Sequence, residues 1–304
     1  MKTINGSIHF KKTKRPVVLT IGNFDGVHIG HQKIFKNISQ TAKKLKGLSV
    51  VYTFFPHPVK IIAPSACPKM LQTQEQKLET IEKHSIDICV VEPFTASFSR
   101  LSPKNFFNGV LLKRFSPSKI VVGYDLTFGR HRTGTIELLK KLCGEKKITF
   151  ELINAVFSGE TLVSSTRIRK LIAEGNVELA RKMLGHPYSM SGMVVKGRGI
   201  GGILGFHTAN LEVENELIPS DGVYLTKTLG HLSVTNIGPN PTFHGDKTTI
   251  ETHILNYSGN LVSKKIEIIF YKRLRDEIEF KGPIELKKQI KKDIKRAKLY
   301  GKNI

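Results

Sequence analysis

The chain has 304 residues, 39% of them hydrophobic and 8% aromatic, enough to build cores in about two domains at roughly 150 residues each. That composition excludes a disordered or low-complexity protein. The 48 lysines and arginines exceed the 25 acidic residues by +23, which suits a nucleic acid, an anionic substrate steered to a cleft, or a generally basic proteome, and selects none of them.

The opening MKTINGSIHFKKTKRP has no apolar signal core, and no later run approaches the ~18 apolar residues of a membrane span. Five β-branched runs then read as strands: residues 17–22 (VVLTIG), 48–54 (LSVVYTF), 87–91 (DICVV), 119–123 (KIVVG) and 148–156 (ITFELINAV). Helical patterns of crossover length lie between them. One follows His28, and another opens at Ser102-Pro103, a capping serine before a proline suited to the first turn. The alternation predicts an α/β domain whose parallel sheet is covered on both faces. Its ligands are expected at the carboxyl ends of the strands, where IGNFDG, FFPHP and VGYDLTFG fall. Cys67, Cys89 and Cys143 form no Cys-x-x-Cys pair, so reduced thiols in a cytoplasm are expected.

Two helices follow Ser164: SSTRIRKLIAEG, closing at Gly175, and NVELARKMLG, running from Asn176 as cap to Gly185. From Tyr188 the pattern changes to short strands separated by Gly, Pro and Asn: SGMVVKG, GVYLTKT, LSVTNIG, IETHILNY and KKIEIIFYKRL. These predict an antiparallel barrel or sandwich. The domain boundary is therefore placed near Gly185, dividing the chain into 1–185 and 186–304. Residues 283–300 read as an amphipathic helix, with Leu286, Ile290, Ile294 and Ala297 on one face and lysines on the other.

In IGNFDGVHIGHQ (21–32) a strand ends at Gly22 and a helix begins near His28, so His28 and His31 share a helical face. A glycine-rich turn before a helix N-terminus attracts phosphate through free N–H groups, and two imidazoles there can stabilise charge on a phosphorus in transfer. Ordinary surface or capping histidines are the plain alternative. A zinc site lacks further ligands, since no cysteine or His-Glu-x-x-His set supplies them. His-Ile-Gly-His also suits class I aminoacyl-tRNA synthetases, but their Lys-Met-Ser-Lys-Ser-like loop is absent. SSTRIR (164–169) stands in its place. Its hydroxyls can donate to phosphate oxygens and Arg167 offers a bidentate fork, although a helix cap at Ser165 would explain the segment by itself.

Together the two pieces resemble the nucleotidylyltransferase superfamily, in which a loop of this form closes over the phosphates of ATP. Further motifs narrow the resemblance: TFFPHP, VGYDLTFGRHRTG, GRGIGGILGFHTANL, PSDGVYLT, NIGPNPTFHG, ETHIL and RLRDEIEF, in that order. From about residue 17 to 297 the chain resembles the bacterial bifunctional riboflavin kinase/FMN adenylyltransferase, or FAD synthetase. The resemblance implies a Rossmann-like nucleotidylyltransferase domain with a parallel sheet, which adenylylates FMN to FAD with release of pyrophosphate. A small antiparallel β-barrel with a C-terminal helix would follow and phosphorylate riboflavin to FMN.

The same resemblance assigns residues. ATP for adenylyl transfer would meet Gly22, Asn23, Phe24, Asp25, His28 and His31, with Ser165, Thr166 and Arg167 as phosphate loop; the two histidines would be catalytic. Asp125, Phe128 and Gly129 would bind FMN. In the kinase, Gly197, Gly199, Gly205, Thr208 and Asn210 would hold the nucleotide, with Thr208 on Mg²⁺. Glu251 would be the general base, and Glu251, Arg273 and Arg275 would face riboflavin. The implied partners are ATP, riboflavin and FMN, with Mg²⁺ accompanying ATP, in a cytoplasmic monomer or weak homo-oligomer. No nucleic-acid or membrane partner is expected. These residue types fit the chemistry independently: a riboflavin alcohol needs a base, whereas an FMN phosphate is already ionised and needs only positioning and charge stabilisation.

The chain departs from the family at several points. His207 replaces a usual proline before Thr208, and losing a fixed φ is expected to loosen that backbone. Ile200, Gly202 and Ile203 stand where basic or polar residues are common, and Val262-Ser263 replaces a Tyr-Gly turn. Leu126-Thr127 replaces Phe-Arg, and Phe55 a frequent glutamate. These changes raise a second reading, adenylyl transfer alone with a degenerate barrel kept for flavin binding or structure. A third, a basic nucleic-acid-binding protein on the same scaffold, lacks any recognised RNA-binding motif.

Overall fold

The computed structural model describes residues 1–197, 205–239 and 248–304. Gly199, Ile200, Gly202, Ile203 and the segment 240–245 of NIGPNPTFHG lie outside the described residues. The chain forms two compact units, Met1–Pro68 with Gln74–Ser164, and Lys69–Thr73 with Ser165–Ile304.

In the first unit β1 (Lys2–Asn5), β2 (Val17–Ile21), β3 (Leu48–Phe55), β4 (Ile88–Pro93), β5 (Lys119–Gly123) and β6 (Thr149–Ile153) make one parallel sheet, ordered β1-β4-β3-β2-β5-β6. Parallel neighbours need crossovers. These are supplied by α1 (Ile29–Lys44), α2 (Pro58–Ile62), α3 (Gln74–Glu82), α4 (Ala96–Ser99), α5 (Pro103–Phe106, continuing as a π-helical stretch Phe107–Phe115) and α6 (Ile136–Glu145). Ser102 caps α5 as its sequence predicts, its hydroxyl accepting from the N–H of Asn105 at 3.2 Å. Every residue of β2 is buried. Val17, Leu19 and Ile21 pack with Phe106, Leu111 and Leu139 on one face, while Val18 packs with Ile34, Phe35 and Ile38 of α1 on the other. Burial on both faces is why these strands read as unbroken apolar runs.

β2 lies between β3 and β5, so the strand order reverses there. In doubly wound sheets that reversal opens a crevice at the carboxyl ends of the strands, and ligands bind in it. Two pieces of this unit were not read from the sequence. β1, with the polar sequence KTIN, is a parallel edge strand on β4, and β7 (Phe157–Ser158) with β8 (Thr161–Leu162) forms a short hairpin.

The second unit opens with α7 (Ser165–Ala173) and α8 (Val177–Leu184). Asn176 accepts from the N–H of Leu179 at 3.2 Å, and Gly185 closes α8 with φ +78°. Val177, Ala180, Met183 and Leu184 are buried, and α8 packs on the barrel, so compactness groups both helices with it, upstream of the pattern change at Gly185. Six antiparallel strands close the barrel: β9 (Tyr188–Val195), β10 (Ala209–Val213), β11 (Gly222–Thr228), β12 (His231–Pro239), β13 (Thr248–Ile254) and β14 (Lys265–Arg275), in the order β10-β13-β12-β11-β14-β9. The sandwich alternative therefore falls away. β10, missed in the sequence, pairs with β9 and β13 and completes the closure. Part of the interior is hydroxylic. Thr226 lies 2.7 Å from Ser233 and 2.8 Å from Thr235, and Thr235 donates to Thr252 at 2.9 Å, so each buried hydroxyl finds a partner.

The last helix, α9 (Pro283–Tyr300), turns its expected apolar face inward and also buries Asp293, which is 2% exposed. Arg275 of β14 donates to the Asp293 carboxylate through Nη2 at 2.9 Å and Nε at 3.0 Å, and Gln289 donates to it at 2.8 Å. Removing one partner of such a pair leaves the other charge unpaired. Asp293→Ala is therefore expected to cost about 3 kcal/mol in urea unfolding. Ser263, in the turn before β14, sits at φ +64°, where glycine carries no Cβ penalty. Ser263→Gly is expected to raise stability by roughly 0.5–1 kcal/mol in the same measurement.

Candidate functional site

The turn after β2 reverses on three left-handed residues: Phe24 at φ 52°, Gly26 at 81° and Val27 at 38°. A β-branched residue at positive φ is strained, and strain persists only where surroundings over-determine it. Val27 is fully buried, Phe24 packs edge-on to Phe35 with ring centroids 4.9 Å apart, and the Gln32 side-chain amide donates to the Val27 carbonyl at 2.8 Å. A Cβ at Gly22 would stand 2.9 Å from the Phe24 ring, and one at Gly30 would stand 3.1 Å from the His28 ring. The glycine inside His-x-Gly-His is thus a space for the first imidazole.

His28 caps α1: its backbone is extended and its Nδ1 accepts from the N–H of His31 at 3.4 Å. The plain reading of a capping histidine is correct locally, but incomplete. The two rings stack with centroids 3.6 Å apart and 20° between planes, and Phe24 meets the His31 ring edge-on at 5.2 Å. The His31 imidazole is held well below its ordinary pKa by burial first, then by His28 and Lys77. It is therefore neutral at neutral pH and can offer one N–H but no charge. Its Nδ1 is buried with no hydrogen-bond partner among the described residues. The first turn of α1 holds no acidic residue, so the positive end of the helix is not neutralised from within.

Sequence reasoning missed Lys77. It lies on α3, is 8% exposed, and directs its ammonium at the carbonyls of Phe54 (3.4 Å) and Asn23 (3.5 Å) and the hydroxyl of Thr53 (3.4 Å). Burial pushes its pKa down to about 8, opposed by Cys89 and Asp25. A helical lysine ordinarily reads as solvated. The signal available was its position four residues before buried Ile81, on the apolar stripe of the helix.

Other expected residues gather at the same end of the sheet. Asp25 is buried in the turn. A Cβ on Gly123, the last residue of β5, would stand 3.3 Å from both Asp125 and Ile34, which places Asp125 beside α1 at the strand-order reversal. Phe128 is buried against Phe106, and Gly129, at φ +71°, has no room for a Cβ beside Pro103. Of the departures, Leu126 packs on the core, Phe55 is exposed at the end of β3, and Thr127 accepts from Arg132 Nε at 2.9 Å, so a guanidinium is held at this loop. Ser165, Thr166 and Arg167 form the first turn of α7 in the second unit; Thr166 and Arg167 are exposed, and that turn also lacks an acid.

On the barrel, Ile250, Thr252 and Ile254 of β13 point inward, so Glu251 and His253 lie on the outer face. The register sets Glu251 opposite Asn210 of β10 and Asn236 of β12. A Cβ at Gly197 would collide with the Asn210 amide, and Gly205 adopts φ +86°. Thr208 and Asn210 are half-buried. The backbone before Thr208, where a proline is absent, is tethered instead: the His253 Nδ1 lies 2.8 Å from the His207 carbonyl, and its ring stands edge-on to Phe206 at 5.6 Å. Arg275 is engaged with Asp293, while Arg273 donates to the Asp221 carbonyl and pairs with Asp276 at 3.2 Å. Among the described residues no group of three or more His, Cys, Asp or Glu is arranged to hold a metal.

A family model described as FAD synthetase matches residues 10–167, and one described as riboflavin kinase matches residues 184–300. The chain is 37% identical over 308 residues to a bifunctional riboflavin kinase/FMN adenylyltransferase of Buchnera aphidicola subsp. Schizaphis graminum, covering 99% of each chain. It is 33% identical over 299 residues to the protein of that name from Escherichia coli K12, covering 96% of each. A crystal structure described as a macrolide-efflux protein from Streptococcus pneumoniae has the same fold, with a TM-score of 0.87 at 27% identity over 98% of this chain and 99% of that one. Among the described residues no helix here is long and apolar enough to cross a membrane.

Proposed function

The chain belongs to the bifunctional riboflavin kinase/FMN adenylyltransferase family, and we propose that it performs both reactions of that name. Riboflavin and ATP give FMN and ADP in the barrel domain, residues 186–304. FMN and ATP give FAD and pyrophosphate in the parallel-sheet domain, residues 1–185. The observation that carries the second half is the stacked His28–His31 pair at the strand-order reversal. A phosphate of FMN attacks the α-phosphorus of ATP already ionised, so the site needs donors and positioning rather than a base. His28 accepts at Nδ1, which assigns its proton to Nε2 and makes that nitrogen the donor to a phosphate oxygen. Neutral His31 donates beside it. Gly22, Asn23, Phe24 and Asp25 shape the nucleotide turn, and Asp125, Phe128 and Gly129 serve FMN. The assignment of Ser165, Thr166 and Arg167 to the ATP phosphates rests on their sequence motif and on their place at the start of a helix whose first turn contains no acidic residue.

In the barrel, Glu251 accepts the proton of the attacking riboflavin alcohol, with Asn210 directly across the strand pair and Thr208 two residues before it. The Thr208 hydroxyl oxygen suits a hard cation that would arrive with the nucleotide. Mg²⁺, when bound, neutralises the phosphates during transfer. Gly197, Gly199 and Gly205 are assigned to the nucleotide by their sequence motif. Arg273 and Arg275 serve the flavin side, Arg275 by fixing α9 through Asp293. A degenerate barrel is not favoured, because the riboflavin kinase model spans it and the bifunctional relatives align over nearly the whole chain. We place the enzyme in the cytoplasm as a monomer or weak homo-oligomer acting on small molecules.

Chromatography of products, with riboflavin and FMN supplied separately, tests both halves. His28→Ala or His31→Ala should slow FAD formation from FMN about 100-fold and leave riboflavin phosphorylation unchanged; wild-type rates of FAD formation would remove the histidines from the mechanism. Glu251→Ala should slow riboflavin phosphorylation by about 100-fold or more and leave FAD formation intact. Undiminished phosphorylation would exclude Glu251 as the base.

A further inference from the structure

One buried charge is left unused by these assignments. The Lys77 ammonium faces the Asn23 and Phe54 carbonyls, and the Thr53 hydroxyl that it also meets donates to Asn23 at 3.2 Å. The Asn23 carbonyl, one residue before the left-handed segment of the turn, therefore takes two donors from beneath. Neither space nor stability calls for a charge there. A neutral apolar side chain would fill the volume without the desolvation that an ammonium suffers. Behind the turn stand His28 and a neutral His31, so His31 brings no charge of its own to a phosphate in transfer.

Resting on the adenylyl-transfer reading above, we propose that Lys77 is a positioning residue for FAD formation, fixing the Asn23 carbonyl and hence the approach into His28 and His31, while setting a positive charge beneath the imidazole pair. It acts through the turn and touches no substrate. The titratable groups facing it are Asp25 of the turn, His31 of α1 and Cys89 of β4. Burial pushes the Cys89 thiol up to about 12, and His31 is held low, so neither changes charge where Lys77, at about 8, does. Raising the pH through about 8 removes the Lys77 proton, and FAD formation should fall as it goes.

The test uses full-length Lys77→Met, with riboflavin phosphorylation as internal control. The turnover number for FMN to FAD should fall about 100-fold with little change in the KM for FMN, and phosphorylation should stay at wild-type rates. The alkaline fall near pH 8 should vanish from the residual activity. Lys77→Arg, which keeps the charge, should recover at least about tenfold of the loss. The proposal is overturned by undiminished turnover in Lys77→Met, by an alkaline fall that persists in it, or by an Arg variant no better than Met. Wild-type protein that makes no FAD from FMN would instead overturn the functional reading beneath it.

Discussion

The first unit depends on one constraint: the chain must leave β2 and enter α1 through a turn that no ordinary sequence would choose. Val27 at φ 38° and Phe24 at 52° each carry strain of order 1–3 kcal/mol. Lowering the Lys77 pKa from 10.5 to about 8 corresponds to a further cost on the order of 3 kcal/mol at neutral pH. The sign follows from linkage: the unfolded chain holds that proton more tightly, so the penalty is full below about pH 8 and is relieved as pH rises toward the unfolded value. A buried β2 and the aromatic packing of Phe24 on Phe35 hold the conformation against these costs. What the arrangement gains is two imidazoles stacked at a helix end, fixed before any ligand arrives.

The barrel reaches the same end by register rather than strain. Glu251, Asn210 and Asn236 come from three strands and share one face only because the antiparallel pairing sets them opposite one another. A slip of one residue would turn Glu251 into the hydroxylic interior and expose Ile250. Closure makes that slip difficult, since β10 and β13 are each paired on both edges. The residue that would carry the proton is thus placed by the same hydrogen bonds that hold the fold.

Much of this was legible in the sequence. Apolar runs located the central strands of the parallel sheet, because burial on both faces leaves no polar positions to break the run. The caps at Ser102 and Asn176 and the stop at Gly185 were readable because capping is local chemistry. The features that were missed are long-range. β10 is short and shows polar Asn210 and Glu212 outward, so only its partners identify it as a strand. Asp293 looked like one more charge on a lysine-rich helix, and Arg275 from a distant strand, with Gln289 beside it, makes its burial tolerable. Lys77 was hidden for the same reason, its acceptors lying on two other segments. Buried charges look like surface residues in a linear reading because their compensation is remote.

The same logic revises the expectation at His207. Without a proline's fixed φ, the segment before Thr208 was expected to be loose, yet a carbonyl held at 2.8 Å by an imidazole from a paired strand is restrained from outside instead of from within. His253 can do this because it lies two residues beyond Glu251 and so shares its face of β13. The strand that presents the proposed base therefore also anchors the backbone that leads to Thr208 and Asn210. A substitution that weakens one local constraint is offset by a neighbour whose position the barrel already fixes, and the two sides of the proposed kinase site are tied through a single strand.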